Sequence, residues 1–92
     1  MGREYRSRLR ILLDLLRALA REPGIGSTRL LAAANLSTDR LQGYLAEMRD
    51  RGLLLERDLD GRRAFELSET GRRLLVELER IDRFMGDFGM SL

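Results

Sequence analysis

The residues able to do chemistry in this chain are its arginines. All seventeen basic residues are arginine, and the 92-residue sequence has no lysine, histidine or cysteine. A guanidinium keeps its charge at any physiological pH and grips phosphate through a planar fork of donors. A GC-rich genome would account for the missing lysine equally well. Without histidine or cysteine the chain lacks a thiolate, the usual zinc ligands and the usual general base. Its carboxylates pair only in mixed-charge surface stretches. The sequence therefore implies no enzyme, no metal, no cofactor and no small-molecule substrate. Three clusters remain. Arg57, Arg62 and Arg63 ring Asp58-Leu59-Asp60-Gly61, Thr38, Arg40, Gln42 and Gly43 open one candidate helix, and Thr28 and Arg29 open another. Helix starts and basic turn tips suit phosphate, and Arg or Gln on a helix face can bond a base edge. Arg3, Arg6, Arg8 and Arg10 could lie along a nucleic-acid backbone or belong to a solvated terminus.

Three look-alike motifs carry no chemistry. Gly24-x-Gly26 follows a helix rather than a strand, Asp58-x-Asp60-Gly61 lacks the further ligands of a calcium loop, and Asp87-Phe88-Gly89 stands without any other kinase element.

The elements that must position the clusters can be read from periodicity. Ser27 to Gly52 reads as two short helices on a tight turn, the helix-turn-helix arrangement. Leu30, Leu31, Ala33 and Ala34 give the first an apolar side. Leu41, Tyr44, Leu45 and Met48 recur at helical spacing in the second. Asn35 tolerates the left-handed conformation that ends a helix, Ser27 and Ser37 read as N-caps, and Gly52 can close the second helix. With the apolar side inward, Asp39, Gly43, Ala46 and Asp50 point out, Gln42 and Arg49 flank one side, and Arg40 and Glu47 the other. Gly43 and Ala46 would let the backbone approach a groove. Glu47 and Asp50 read as an ordinary solvated face, and Tyr44 as core.

Residues 5–20 read as a helix with Leu9, Leu12, Leu13, Leu16 and Leu19 on one face and Ile11, Leu15 and Ala18 on a second strip, which implies neighbours on both sides. Pro23 to Gly26 is a loop in which Ile25 dips into the core or adds a short strand. After Gly52 the period becomes strand-like. Residues 53–57 and 63–67 flank an Asp-Gly hairpin signal. Ser68 caps a last helix whose Leu74, Leu78, Ile81, Met85, Phe88 and Leu92 alternate four and three residues apart, a coiled-coil seam. The seam either packs on the first helix or pairs with a second copy, and its length favours a homodimer. Gly86 and Gly89 limit regular helix to about residue 85, with a loose tail.

Charge is uneven. Six arginines against Glu4 and Asp14 leave +4 over residues 1–21, residues 22–52 balance, and seven arginines against nine acids leave −2 over residues 53–92. One Asn, one Gln and 35% charged residues lean towards a heat-adapted source. No secretory leader is evident. The most apolar run, Ile11 to Ala20, contains Asp14 and Arg17 and is too short to span a bilayer. A cytoplasmic protein without a membrane role is expected.

Helix, helix-turn-helix, hairpin and helix in this order make a winged helix, mostly α with a small β-hairpin. Ala34-Asn35-Leu36-Ser37, Leu41, Tyr44-Leu45, Met48, Gly52-Leu53-Leu54 and Phe65-Glu66-Leu67-Ser68-x-x-Gly71 resemble the archaeal winged-helix chromatin proteins of the ten-kilodalton ("ten-a") class and related archaeal winged helix-turn-helix regulators. The resemblance spans roughly residues 8–85. It implies a long C-terminal helix that pairs with a second copy as an antiparallel coiled coil and presents two heads to double-stranded DNA, in a nucleoid-associated protein. On this reading residues 1–67 form the DNA-binding domain (basic arm 1–8, helix-turn-helix 27–52, wing 53–67) and residues 68–92 the dimerisation helix and tail. A winged helix used for protein–protein contact is the alternative, since acids stand on the presumed reading helix.

Overall fold

Helix α1 (Arg8–Arg21) is the hub of the fold. Ser7 caps it, its hydroxyl accepting from the Arg10 N–H at 3.0 Å. Ile11, Leu13, Leu15, Leu16, Ala18 and Leu19 are all buried, so both apolar strips have neighbours, as their spacing predicts. Each fully buried leucine contributes about 1.5–3 kcal/mol. Leu9 departs from the expectation. It lies in the first turn, at the rim of a cleft with Leu12, Tyr44, Met48 and Leu53, and is 49% exposed. The computed structural model describes residues 6–92. Arg3 of the expected basic arm and Tyr5 lie outside the described residues, but Arg6 is not helical and Ser7 is the extended N-cap, so α1 starts later than the residue 5 expected.

Strand β1 (Ile25–Gly26) leads directly into α2 (Ser27–Ala34). Ile25 takes both expected roles: it is buried and pairs with Phe65. Pairing of Gly26 with Ala64 holds Gly26 extended, which makes Gly26 the N-cap of α2 and Ser27 already helical. The expected Ser27 cap is thus absent, and α2 starts without a side-chain cap. Leu30 and Ala34 are buried, whereas Ala33 faces solvent. Asn35 ends α2 in the left-handed region at φ 55°. Ser37 caps α3 (Thr38–Asp50) by accepting from the Arg40 N–H at 3.3 Å. Leu41, Tyr44, Leu45 and Met48 are buried, and Gly52 at φ 73° lets the Leu53 N–H reach the Met48 carbonyl at 2.9 Å.

The wing is β2 (Leu54–Leu59) and β3 (Arg62–Leu67), in a three-stranded antiparallel sheet of order β1-β3-β2. Asp60 and Gly61 both have positive φ, 54° and 78°, the two-residue hairpin turn whose twist matches the strands. Pairing therefore runs two residues further than the sequence predicts on β2, to Leu59↔Arg62.

Helix α4 (Glu69–Gly86) is capped by Ser68, which accepts from the Gly71 N–H at 3.0 Å. Leu78 is buried, and ion pairs from α1 fix the register: Arg10 to Asp82 at 2.7 Å, and Arg17 to Glu79 at 3.1 Å and Asp82 at 3.5 Å. Gly71 sits so close to the α3–β2 corner that a Cβ there would overlap the Leu53 carbonyl oxygen. The tail differs from expectation. The Met90 N–H returns to the Met85 carbonyl at 2.9 Å, Gly89 takes φ 74°, and Leu92 packs against the core.

Candidate nucleic-acid interface

The outer face of α3 is open. Thr38, Asp39, Arg40, Gly43 and Asp50 are exposed, and Gln42 and Ala46 are half-buried. A Cβ built on Gly43 meets nothing within 4 Å. Arg40 forms no ion pair with any described residue. Tyr44 is core, as its place in the apolar repeat predicts.

A second set converges beside it. Sheet pairing of β1 with β3 brings the start of α2 against the wing tip, so Gly26, Ser27, Thr28, Arg29, Gly61, Arg62 and Arg63 line one groove. The ideal Cβ of Gly26 would lie 3.8 Å from Arg62 Nη1, so Arg62 leans over the uncapped helix start. The free N–H groups there carry partial positive charge and favour an anion. Arg29 donates from Nε and Nη2 to Glu22 Oε1 at 3.1 and 2.7 Å. That hydrogen bond raises the Arg29 pKa further. The clusters read separately in the sequence at residues 28–29 and 62–63 are thus one site, while Thr38, Arg40, Gln42 and Gly43 stand on α3.

Asp58 and Asp60, which stand between the wing arginines in sequence, form no ion pair with any described residue. Arg57 pairs with Glu66 at 2.7 Å, across the buried Ala64. Arg63 turns from its cross-strand neighbour Asp58 to Glu56, donating at 2.7 Å while its guanidinium lies 5.2 Å from the Phe65 ring centre. Glu56 also accepts from Arg49 of α3 at 3.2 Å. Hydrogen bonding from Arg63 holds the Glu56 carboxyl below its ordinary range, against the desolvation of burial and with further help from the charge of Arg63 and from Arg49.

Glu47 differs from the solvated face expected of it. It accepts from Arg8 at 2.7 Å and pairs with Arg51 at 3.1 Å, and the Arg8 guanidinium lies 5.3 Å from the Tyr44 ring centre. The arginines near the N-terminus are likewise engaged with the domain. Arg6 reaches Asp14 at 2.9 Å and the Asn35 carbonyl at 2.8 Å, and Arg10 reaches Asp82. Arg8, placed at the end of the expected arm, begins α1.

The seam of α4 divides. Leu78 is buried, Leu74 is half-buried against the core and Met85 is half-buried, while Ile81 and Phe88 are exposed, Phe88 to 66%. Phe84, absent from the expected seam, is 65% exposed and meets Phe88 edge-to-face at 5.2 Å. Its spacing, three after Ile81 and four before Phe88, was the available signal. Among the described residues no group of acids could hold a metal ion, and no helix is long and apolar enough to cross a membrane.

A family model described as winged helix-turn-helix matches residues 5–86. No curated protein matches closely enough to count as a relative. Among solved structures, the chain is similar to Sso10a-2, a DNA-binding protein from Sulfolobus solfataricus, with 25% identity, TM-score 0.81, and 90% of this chain and 85% of that one covered. It is also similar to the PcaV transcriptional regulator from Streptomyces coelicolor, with 27% identity and TM-score 0.74, covering 79% of this chain and 57% of that longer one. The fold alone is shared with the transcriptional repressor CouR, solved on a 23-mer DNA duplex, at 16% identity, TM-score 0.70, and coverage of 83% and 54%.

Proposed function

We propose that this chain, which belongs to the winged helix-turn-helix family, binds double-stranded DNA as a homodimer joined through α4, with low sequence preference, as a nucleoid-associated chromatin component or transcriptional regulator in the cytoplasm. The observation that carries the reading is the groove where the uncapped start of α2 meets Arg29, Arg62 and Arg63, beside an α3 face left open at Gly43. The similarity to Sso10a-2 and PcaV, named as a DNA-binding protein and a transcriptional regulator, supports it.

Most of the affinity comes from phosphate. Thr28, Arg29, Arg57, Arg62 and Arg63 supply backbone contacts, which position a protein but carry little sequence information. Only Thr38, Arg40 and Gln42 are placed to read bases, and Asp39 and Asp50 on the same face repel phosphate. Dimerisation uses Ile81, Met85 and Phe88 with Phe84, continuing a seam whose Leu74 and Leu78 belong largely to the core of each copy. The two outward acids of α3, which pair with no described residue, favour a second reading, a protein–protein module without DNA binding.

Duplex titration at several salt concentrations separates the two. DNA binding predicts a log–log fall of affinity with salt, about 0.9 per neutralised phosphate. Replacing Arg62 and Arg63 by Ala flattens that slope by about one per lost contact, equally on unrelated sequences. An absence of duplex binding at low salt, or one sharply defined site abolished by Gln42→Ala, overturns the reading.

A further inference from the structure

Two carboxylates, one on α3 and one on the wing, each hold two arginines. On one side Glu47 bridges Arg8 of α1 and Arg51 beyond the end of α3, at 2.7 and 3.1 Å. On the other side Glu56 of the wing bridges Arg63 and Arg49, at 2.7 and 3.2 Å. The four arginines are substantially exposed, Arg8 to 71% and Arg63 to 47% of their side chains, so neither bridge is a core feature. They come from three elements, Arg8 from α1, Arg49 and Arg51 from α3 and its C-cap, and Arg63 from β3, and the carboxylates gather them beside α3.

We propose that Glu47 and Glu56 are affinity-limiting positioning residues, which hold Arg8, Arg51, Arg49 and Arg63 along α3 and halve the charge that each pair offers to DNA phosphate. This rests on the DNA-binding reading and specifies its regulation by charge. Each cluster is two guanidinium groups and one carboxylate, a net +1. When a phosphate arrives, an arginine can exchange one oxyanion for another, but the carboxylate remains beside the backbone and offsets one phosphate contact. The arginines are pre-set in direction at low ordering cost, and the protein is kept from clinging to every duplex. The acids of α3 and the wing thus take part in binding by subtracting from it.

The exposed geometry makes the consequence measurable without loss of the fold. Glu47→Gln and Glu56→Gln each change a cluster from +1 to +2 with nearly the same shape. Counting counterion release alone, each substitution should steepen the log–log salt slope by about 0.9 and tighten binding about eightfold at about 0.1 M salt, and the double variant about sixtyfold. Glu77→Gln is the control. It makes the same formal charge change on α4, where Glu77 pairs, among the described residues, only with Arg80 at 3.5 Å, one turn along the same helix.

The experiment is a titration of the full chain against a mixed-sequence duplex from about 50 to 200 mM salt, with the thermal midpoint of each variant recorded. Steeper slopes and tighter binding for Glu47→Gln and Glu56→Gln, with Glu77→Gln and all midpoints near wild type, support the proposal. If wild type binds and the Gln variants bind with the same slope, or Glu77→Gln steepens it equally, the proposal fails and the DNA-binding reading stands. If neither wild type nor the double variant binds at any salt concentration, both fail.

Discussion

Replacing Gly71 by alanine should destabilise the domain sharply, although glycine is a poor helix former. A Cβ at Gly71 would overlap the Leu53 carbonyl oxygen and press on Leu67 Cδ2 at 3.1 Å and the Leu53 carbonyl carbon at 3.2 Å. The oxygen cannot easily give way. It accepts the Ser68 N–H at 3.0 Å, while Ser68 Oγ donates to the Gly52 carbonyl at 2.6 Å and accepts from the Gly71 N–H. Relief requires the first turn of α4 to lift from the α3–β2 corner. Overpacking of this kind costs about 1–3 kcal/mol. The Ser68–Leu53 hydrogen bond, worth about 1 kcal/mol, goes with it. Alanine returns at most about 1 kcal/mol of helix propensity. The balance is a loss of about 1–3 kcal/mol, and at about 4–8 °C per kcal/mol for a domain this size the midpoint should fall by about 8–16 °C for a 2 kcal/mol loss. Gly43→Ala is the internal contrast: it meets no atom within 4 Å, so only the propensity gain applies and the midpoint should rise. Circular-dichroism melts of both variants decide the matter. A Gly71→Ala protein that melts at or above wild type, or two variants that shift the same way, would refute the packing argument.

Ser37→Ala should cost about 1 kcal/mol by removing the cap of α3, read by urea unfolding. Ile81→Glu with Phe88→Glu should convert the proposed dimer to a folded monomer in sedimentation at micromolar concentration. Leu78 is unsuitable for that test, because it is buried in its own chain and a charge there would unfold the protein. Glu56 carries a pH prediction. Its carboxyl lies below the ordinary range, so it stays ionised as pH falls towards about 4.5, and the bridge to Arg63 and Arg49 is lost only as pH falls through the depressed value. The affinity ratio of Glu56→Gln to wild type should therefore hold constant from about pH 7 to about pH 5.

What could be read in advance was local. Helical spacing in α1 and α3, the caps Ser37 and Ser68, the left-handed Asn35 and the Asp60-Gly61 turn all depend on residues a few positions apart, and the structure has each of them. The Ser27 cap failed because sheet pairing, a long-range event, put the cap position of α2 at Gly26 and made Ser27 helical. Ion-pair partners were illegible for the same reason: Arg8 and Glu47 are 39 residues apart, and Arg10 and Asp82 are 72 apart. In sequence, Asp58 and Asp60 stand nearest the wing arginines. In space, strand alternation and the reach of α3 hand Arg63 to Glu56 instead. Gly71 stood among the residues of the family resemblance, but its reason, a carbonyl oxygen where a Cβ would lie, exists only once α4 meets the corner at Leu53.

Strand β2 is paired on one side only, so its outer edge is a row of donors and acceptors that another strand could extend. It also carries Leu55 and Leu59, 45% and 42% exposed, four residues apart. Two such edges meeting antiparallel about Arg57 would set each Leu55 against a Leu59, an attractive match. The same register sets Arg57 against Arg57 and each Glu56 against an Asp58, and like charges directly opposite oppose pairing. A shift of one residue would break the leucine match. The wing is therefore poorly able to zip onto its own kind, and what prevents it is the order of three consecutive charged residues, Glu56, Arg57 and Asp58.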